Sequence, residues 1–358
     1  MKRQVKTIDF TGQNIYAGID VHLKNWRVTV MLDHNEHKTF SQDPSAEQLA
    51  KYLQAKFPGA NYKSAYEAGF CGFSIHRSLI SNGINNIVVN PADVPTTDKE
   101  RKQKEDKRDS RKIARSLRNG ELQGIYIPEV RMMEFRGLVR YRKTLVKEIC
   151  RNKNRIKSFL HFYGISIPAP LDGASRYWSG TFTQWLQEIK METHHGTLVL
   201  NEILEITLYT RNKLLKVNRV LRKIYQEGEY SKYLKLLCSI PGIGLITAAT
   251  FLSELEDIKR FKTLDRLCSY VGLMPTTHSS GEKDVIGGIT PRSNKPLRGV
   301  IIEAAWIASR IDPALAKSFN EYCKRMEKND AVIRIAKKLL NRIKFVLKNE
   351  TEYVCSVV

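Results

Sequence analysis

Two kinds of hydrophobic spacing divide the chain. As far as about residue 125, apolar residues come in short runs or alternate with polar ones, which is the period of strands. Beyond about residue 129 they recur three and four positions apart, which is the period of helices. The first strong run is Ile15-Tyr16-Ala17-Gly18-Ile19, a short buried strand ending in Asp20. A period-2 run, Trp26 to Leu32, supplies a neighbouring strand. Ser45 is placed to cap a helix over 45–57, with Leu49, Tyr52 and Leu53 on one face and Pro58-Gly59 as its stop. Tyr62 to Glu67 is a second strand that ends in a carboxylate. Ala68-Gly69-Phe70 leads into a helix through Leu79, and Ile84 to Val89 forms a third strand closed by Asn90-Pro91. Strands alternating with helices predict an α/β sheet domain over about 14–125.

The helical period then takes over. Leu138, Leu145, Ile149, Ile156 and Phe159 form one stripe, and Gly164, Pro168 and Pro170 break it. A second stripe holds Leu200, Ile203, Leu214, Val217, Leu221 and Ile224, with Thr207 and Thr210 in register. An antiparallel helical hairpin and a coiled coil joining protomers both fit this 129–230 region. Residues 231–350 make a mainly helical C-terminal domain. Within it Ile240-Pro241-Gly242-Ile243-Gly244 matches a helix-hairpin-helix turn, whose Gly242 and Gly244 would let backbone N–H groups approach a phosphate.

Charge narrows the partners. Lys and Arg number 59 against 37 Asp and Glu, a formal net charge of +22 in 358 residues. Such an excess favours a polyanion, either nucleic acid or an anionic membrane. No apolar run reaches the length of a membrane span and no signal-peptide pattern opens the chain, so the expectation is a cytoplasmic nucleic-acid binder. The six cysteines are scattered with no C-x-x-C pair, which argues against zinc ribbons and disulfide frameworks.

Four acids stand out as candidate chemistry. Asp20 and Glu67 end strands, and a carboxylate there is costly to bury unless paired or bound to a cation. Lys99 to Lys112 carries eight basic residues in fourteen, and its second half turns helical. There Asp106 and Asp109 lie three apart and share a helix face. An isolated D-x-x-D is ordinarily a solvated surface pair, but this one follows two strand-end acids. Together the four could hold two hard divalent cations, Mg²⁺ by preference, in a two-metal arrangement. His22 could orient a carboxylate or be a plain surface residue. Lys104, Lys107, Arg108 and Arg111 around the acids, and Arg140, Arg142, Lys143, Arg151 and Arg155 on the first long helix, are candidate phosphate contacts, as is Arg298. A serine beside Gly281 in a Gly-rich loop is a candidate nucleophile, although Ser-Gly is common in turns.

A Gly-Ile-Asp strand followed by a hairpin resembles the start of the RNase H/RuvC nuclease fold. The resemblance widens with Glu67-Ala68-Gly69, Val89-Asn90-Pro91, Asp106-Lys107-Arg108-Asp109-Ser110-Arg111-Lys112, Ile240-Pro241-Gly242-Ile243-Gly244, Gly272-Leu273-Met274-Pro275, Ser279-Ser280-Gly281 and Gly288-Ile289-Thr290, in that order. As a set they resemble the DEDD insertion-sequence transposases of the one-hundred-and-ten type, which include the Piv/MooV invertases. Two departures are visible, at Glu105 and at Pro291-Arg292-Ser293. The resemblance implies an N-terminal RuvC-like domain and a C-terminal transposase domain with a catalytic serine. It implies Mg²⁺ on Asp20, Glu67, Asp106 and Asp109, about two ions per site. It also implies a covalent phosphoserine link to DNA through Ser280, with Ser279 the alternative.

A structured bridge RNA pairing with donor and target DNA would guide strand exchange, and protomers of a dimer or tetramer would build composite sites in a bacterial or archaeal cell. Two other readings compete. One is a RuvC-like junction endonuclease that uses water; the other is a structured-RNA-binding protein with no catalysis.

Overall fold

A computed structural model of the chain describes residues 9–95, 106–173, 175–280 and 283–355, with the backbone alone at 106–108, 277–280 and 283–286. The chain divides into two compact units, Met1–Ile127 and Pro128–Val358.

The first unit is built on β1 (Asn14–Val21). It lies at the centre of a sheet ordered β3-β2-β1-β4-β5, with β2 Trp26–Met31, β3 Glu36–Gln42, β4 Asn61–Glu67 and β5 Asn85–Val89. β2 and β3 run antiparallel, whereas β4 and β5 run parallel to β1. Parallel neighbours need crossovers, and helices α1 (Ala46–Lys56) and α2 (Ser74–Ser81) serve that purpose. Ser45 caps α1 as its sequence position predicts, its hydroxyl accepting from the Gln48 N–H at 3.2 Å. Helix α2 begins later than the Ala-Gly-Phe lead suggests, because residues 69–73 form a turn with Gly72 at a φ of +57°. Strand β3 was not anticipated. Its sequence Glu-His-Lys-Thr-Phe-Ser-Gln is polar because an edge strand has little to bury.

The two faces of the sheet differ. Ile15, Ala17 and Ile19 of β1 join Val28, Leu49, Leu53, Tyr66 and Val88 in one buried core under α1 and α2. On the other face Tyr16 and Met31 pack against Ala114 of α3 (Asp106–Arg118). Gly18 is what lets α3 lie there. A Cβ at this position would stand 2.2 Å from the Ser110 carbonyl oxygen and 2.3 Å from the Ala114 nitrogen.

The second unit begins with α4 (Val130–Phe162), which packs along α6 (His194–Glu227); α5 (Gly180–Glu188) lies in the connection. Leu145, Ile149, Ile156, Leu200, Val217 and Leu221 of the predicted stripes are buried. Thr207 and Thr210 are buried too, their hydroxyls donating to the carbonyls one turn earlier at 2.7 Å. The hairpin thus packs on itself. Then follow α7 (Ser231–Cys238), α8 (Leu245–Leu255), α9 (Leu264–Val271), strands β6 (Pro275–Ser280) and β7 (Lys283–Ile289), α10 (Lys295–Ile311), α11 (Pro313–Cys323) and α12 (Lys328–Asn349). One large core joins Val139, Leu145, Val217 and Leu221 of the long helices to Phe251, Ile301 and Leu339. A smaller one, with Ile156, Phe182, Leu186 and Leu200, fills the far end of the hairpin. Segments 129–230 and 231–350 therefore share a core. The Gly-rich stretch after Met274 is no loose loop but an antiparallel two-stranded ribbon.

Candidate active site

Register decides where the first two acids meet. Strands β1 and β4 pair in parallel as far as Ile19↔Tyr66, so Asp20 and Glu67 follow as the next neighbours. Ile19 and Tyr66 both face the α1–α2 core. Side chains alternate along a strand, so Asp20 and Glu67 both fall on the opposite face, the one that α3 covers. Both are half-buried. The His22 Nε2 sits 3.1 Å from the Asp20 Oδ2. With its proton on Nε2, His22 donates to the Asp20 carboxylate, which can only accept, and so orients it.

Helix α3 brings the next two acids to the same end. Ala114 packs beside Tyr16, and one turn earlier the Ser110 carbonyl lies against Gly18. The Ser110 hydroxyl shares a hydrogen bond with that of Thr29 on β2 at 2.9 Å. Moving toward the start of the helix therefore means moving toward the ends of β1 and β4. Asp109 immediately precedes Ser110, and Asp106 opens the helix. Lys112 Nζ stands 3.8 Å from Asp109 Oδ1 with only 11% of its side chain exposed. The donor set is all hard oxygen, which suits Mg²⁺. Among the described residues, no three side chains of His, Cys, Asp or Glu by themselves form a metal-sized group, and of Asp106 only the backbone is described.

The serines occupy the other unit. Ser279 and Ser280 end β6, paired with Asp284 and Lys283 of β7; Gly281 beside them lies outside the described residues. The base of this ribbon is pinned in several places. The Thr290 N–H donates to the Met274 carbonyl and the Asn294 N–H to that of Tyr270, both at 3.0 Å. Gly272 adopts a φ of +85°, and a Cβ there would stand 2.1 Å from that of Ser293. Asn294 caps α10 and also donates to Glu254 Oε2 at 3.0 Å. Glu254 is buried and takes a two-pronged grip from Arg140 at 2.7 and 2.9 Å. Burial alone would raise its carboxyl pKa, but hydrogen bonds from Arg140 and Asn294 and the charges of Arg140 and Arg136 hold it below the ordinary value.

The basic candidates fall into different settings. Arg140 is committed to Glu254, and Arg142 donates to Asn218 at 2.8 Å. Arg111 grips Glu36 of the edge strand at 2.8 Å. Arg298 donates to the Thr290 carbonyl at 2.8 Å, which makes it part of the ribbon's base. Lys143, Arg151 and Arg155 are exposed along α4. Lys107 and Arg108 lie in the first turn of α3, and Lys104 and Glu105 lie outside the described residues. Gly242 owes its identity to packing: at a φ of +89°, a Cβ would meet the Ala304 carbonyl of α10 at 2.6 Å. Gly244 is exposed at the start of α8, a helix end with no side-chain cap.

Three residues near the sites escaped sequence reasoning. Arg27 is the cross-strand partner of Asp20 and so lies on its face, as the period-2 pattern from Trp26 would have indicated. Glu254 and Asn294 had no such signal, because only the fold brings them to Arg140.

The first unit thus offers a sheet with two strand-end acids under α3, and the second a ribbon that ends in serines; comparison with known proteins supplies the class. A model described as a DEDD transposase of the IS110 type matches residues 17–165, and one described as "Transposase IS116/IS110/IS902 family" matches 234–320. The chain belongs to the IS110 family of DEDD transposases. It is 28% identical to "Putative transposase y4qE" of Sinorhizobium fredii, over 84% of this chain and 73% of that protein. It is also 28% identical to y4rJ of the same organism, over 91% of this chain and 90% of the relative. A transposase for insertion sequence element IS1533 of Leptospira borgpetersenii is 24% identical, over 82% and 85%. Among the described residues no helix is long and apolar enough to cross a membrane.

Proposed function

We propose that this transposase exchanges DNA strands through a serine nucleophile assisted by Mg²⁺, on sites chosen by a structured guide RNA. The observation that carries the metal half is the register placing Asp20 beside Glu67 on the α3 face. The strand order β3-β2-β1-β4-β5 supports a RuvC/RNase H-like reading of that sheet. Asp20, Glu67, Asp106 and Asp109 would hold the ions, with His22 orienting Asp20. Bound there, Mg²⁺ would polarise the scissile phosphate and ease the build-up of negative charge on the attacking and leaving oxygens.

The serine supplies the covalent step. Its oxygen forms a bond to phosphorus while the strand's own P–O bond breaks, and the hydroxyl proton ends on the departing strand oxygen. A hydroxyl end of the exchange partner then attacks the phosphoserine and regenerates the serine. Phosphodiester bonds are conserved, so no external energy source is needed. Ser280 is the preferred nucleophile, with Ser279 the alternative, and sites composed from protomers of a dimer or tetramer are part of the reading. The cation excess of +22 supports simultaneous contact with DNA and RNA.

The test is a covalent-adduct assay with duplex DNA, Mg²⁺ and the RNA transcribed beside the element. Wild type is expected to give a protease-sensitive DNA adduct. Ser280→Ala is expected to abolish it, and Asp20→Asn to lower its rate by about a hundredfold or more. Free 5′-phosphate ends from both wild type and S280A would replace this reading with hydrolysis by water. Equal adduct with or without RNA would remove the guide.

A further inference from the structure

The connection between α4 and α6 holds the least explained residues of the second unit. Trp178 adopts a φ of +67°. A left-handed backbone at a bulky residue is strained and persists only where the surroundings enforce it. Here its carbonyl accepts from Arg211 of α6 at 3.2 Å, and its ring packs edge-on to the buried Phe182, centroids 5.3 Å apart. Lys153 Nζ of α4 lies 5.0 Å from the centre of the Trp178 ring. One turn on, Lys157 Nζ lies 3.9 Å over the ring of Tyr177. Neighbouring aromatic residues thus hold two lysines from one helix close to an arginine from the other.

None of these three cations has an ion-pair partner among the described residues, and the nearby Asp172 accepts from the Tyr177 hydroxyl. Burial, and then the charges of Arg211 and Lys157, push the Lys153 ammonium below its ordinary pKa. Like charges crowded against aromatic faces weaken the fold unless an anion joins them. Ring contact recovers part of that cost, but leaves the outward N–H donors free. Arg and Lys together suit a phosphate, the first by its fork and the second as a point charge.

We propose that Lys153, Lys157 and Arg211, braced by Tyr177 and Trp178, bind a backbone phosphate of nucleic acid at the connected end of the helical hairpin. The proposal rests on the family's action on nucleic acid, not on the serine or the metal. A strained tryptophan locks the geometry, so the site is built from both long helices and the segment between them. DNA and RNA share the phosphate, and the assay distinguishes them.

Full-length protein would be titrated by fluorescence anisotropy with a short DNA duplex and, separately, with an RNA stem-loop, across a range of salt. The variant K153Q/K157Q/R211Q is expected to bind at least one probe about tenfold or more weakly. Its plot of log affinity against log salt should flatten by about two to three in slope on duplex DNA, somewhat less on single strands. A charge-keeping variant, K153R/K157R/R211K, should bind as wild type does. Loss on one probe alone supports the site and names its occupant. Should the triple variant fold poorly, the exposed single change K157Q is expected to cost about threefold and about one in slope. Wild-type affinity and slope on both probes from folded neutral variants would overturn the site. Covalent adduct is not the readout, so failure of the serine reading would leave this result standing. A wild type that binds neither probe would sink both.

Discussion

The acids of the first unit and the serines of the second are held by different means. Asp20 and Glu67 end two paired strands whose other face is fully buried, so their spacing is fixed by the register of a core sheet. Ser279 and Ser280 end a ribbon whose strands pair with each other. What fixes the ribbon is its base: Ser293 packed on Gly272, Arg298 on Thr290, and Asn294 on the Glu254–Arg140 pair. A site rooted in central strands is disturbed by what is packed directly on it. A site on a two-stranded ribbon is disturbed from where the ribbon is attached.

The sharpest way to break that contrast is at Gly18. A Gly18→Val side chain would enter the Ser110 carbonyl, overpacking by about 1–3 kcal/mol or more and pushing α3 off the sheet. Strand exchange should fall by about a hundredfold, because Asp106 and Asp109 ride on that helix. Thermal melts and adduct rates check both. A variant with wild-type rate would mean the α3 acids do not share the site of Asp20.

Glu254 tests the second unit. Glu254→Ala leaves Arg140 and Asn294 without their buried partner and should cost about 2–4 kcal/mol. Its depressed pKa gives the contribution a pH signature. The stabilisation is complete above the ordinary carboxyl value of 4.5 and is lost as pH falls through the lower folded value. The gap in stability between wild type and Glu254→Gln should therefore narrow below about pH 4.5 and be flat above it, as denaturant titrations would show. A gap that widens in acid would refute the assignment.

The smallest effect is expected at His22. His22→Ala should raise the Mg²⁺ requirement for adduct formation by about tenfold, while the melting temperature stays put. An unchanged Mg²⁺ titration would make the contact with Asp20 incidental.

Much of the sheet was legible because its buried strands carry strong local signals. The Ser45 cap, the apolar runs at 15–19 and 84–89, and the two helical stripes all appear where their periodicities predict them. Strand β3 was not legible, because an edge strand of polar residues carries no burial pattern. Nor was the ribbon at 275–289, where glycines and threonines read as a loop until cross-strand pairing is known. Arg140 and Arg142 illustrate the limit on the basic helix face. A run of cations gives no sign that one of them will meet Glu254, more than a hundred positions away, and another Asn218.

The sequence by itself determined which residues would end strands, which helices would be amphipathic, and to which family the chain is similar, because these depend on local spacing and on residue identity. Tertiary structure alone decided that Asp20 and Glu67 are neighbours, that Gly18 seats α3 over them, and that Glu254 fastens the ribbon's base. Those facts depend on contacts between distant segments, which local spacing and residue identity do not specify.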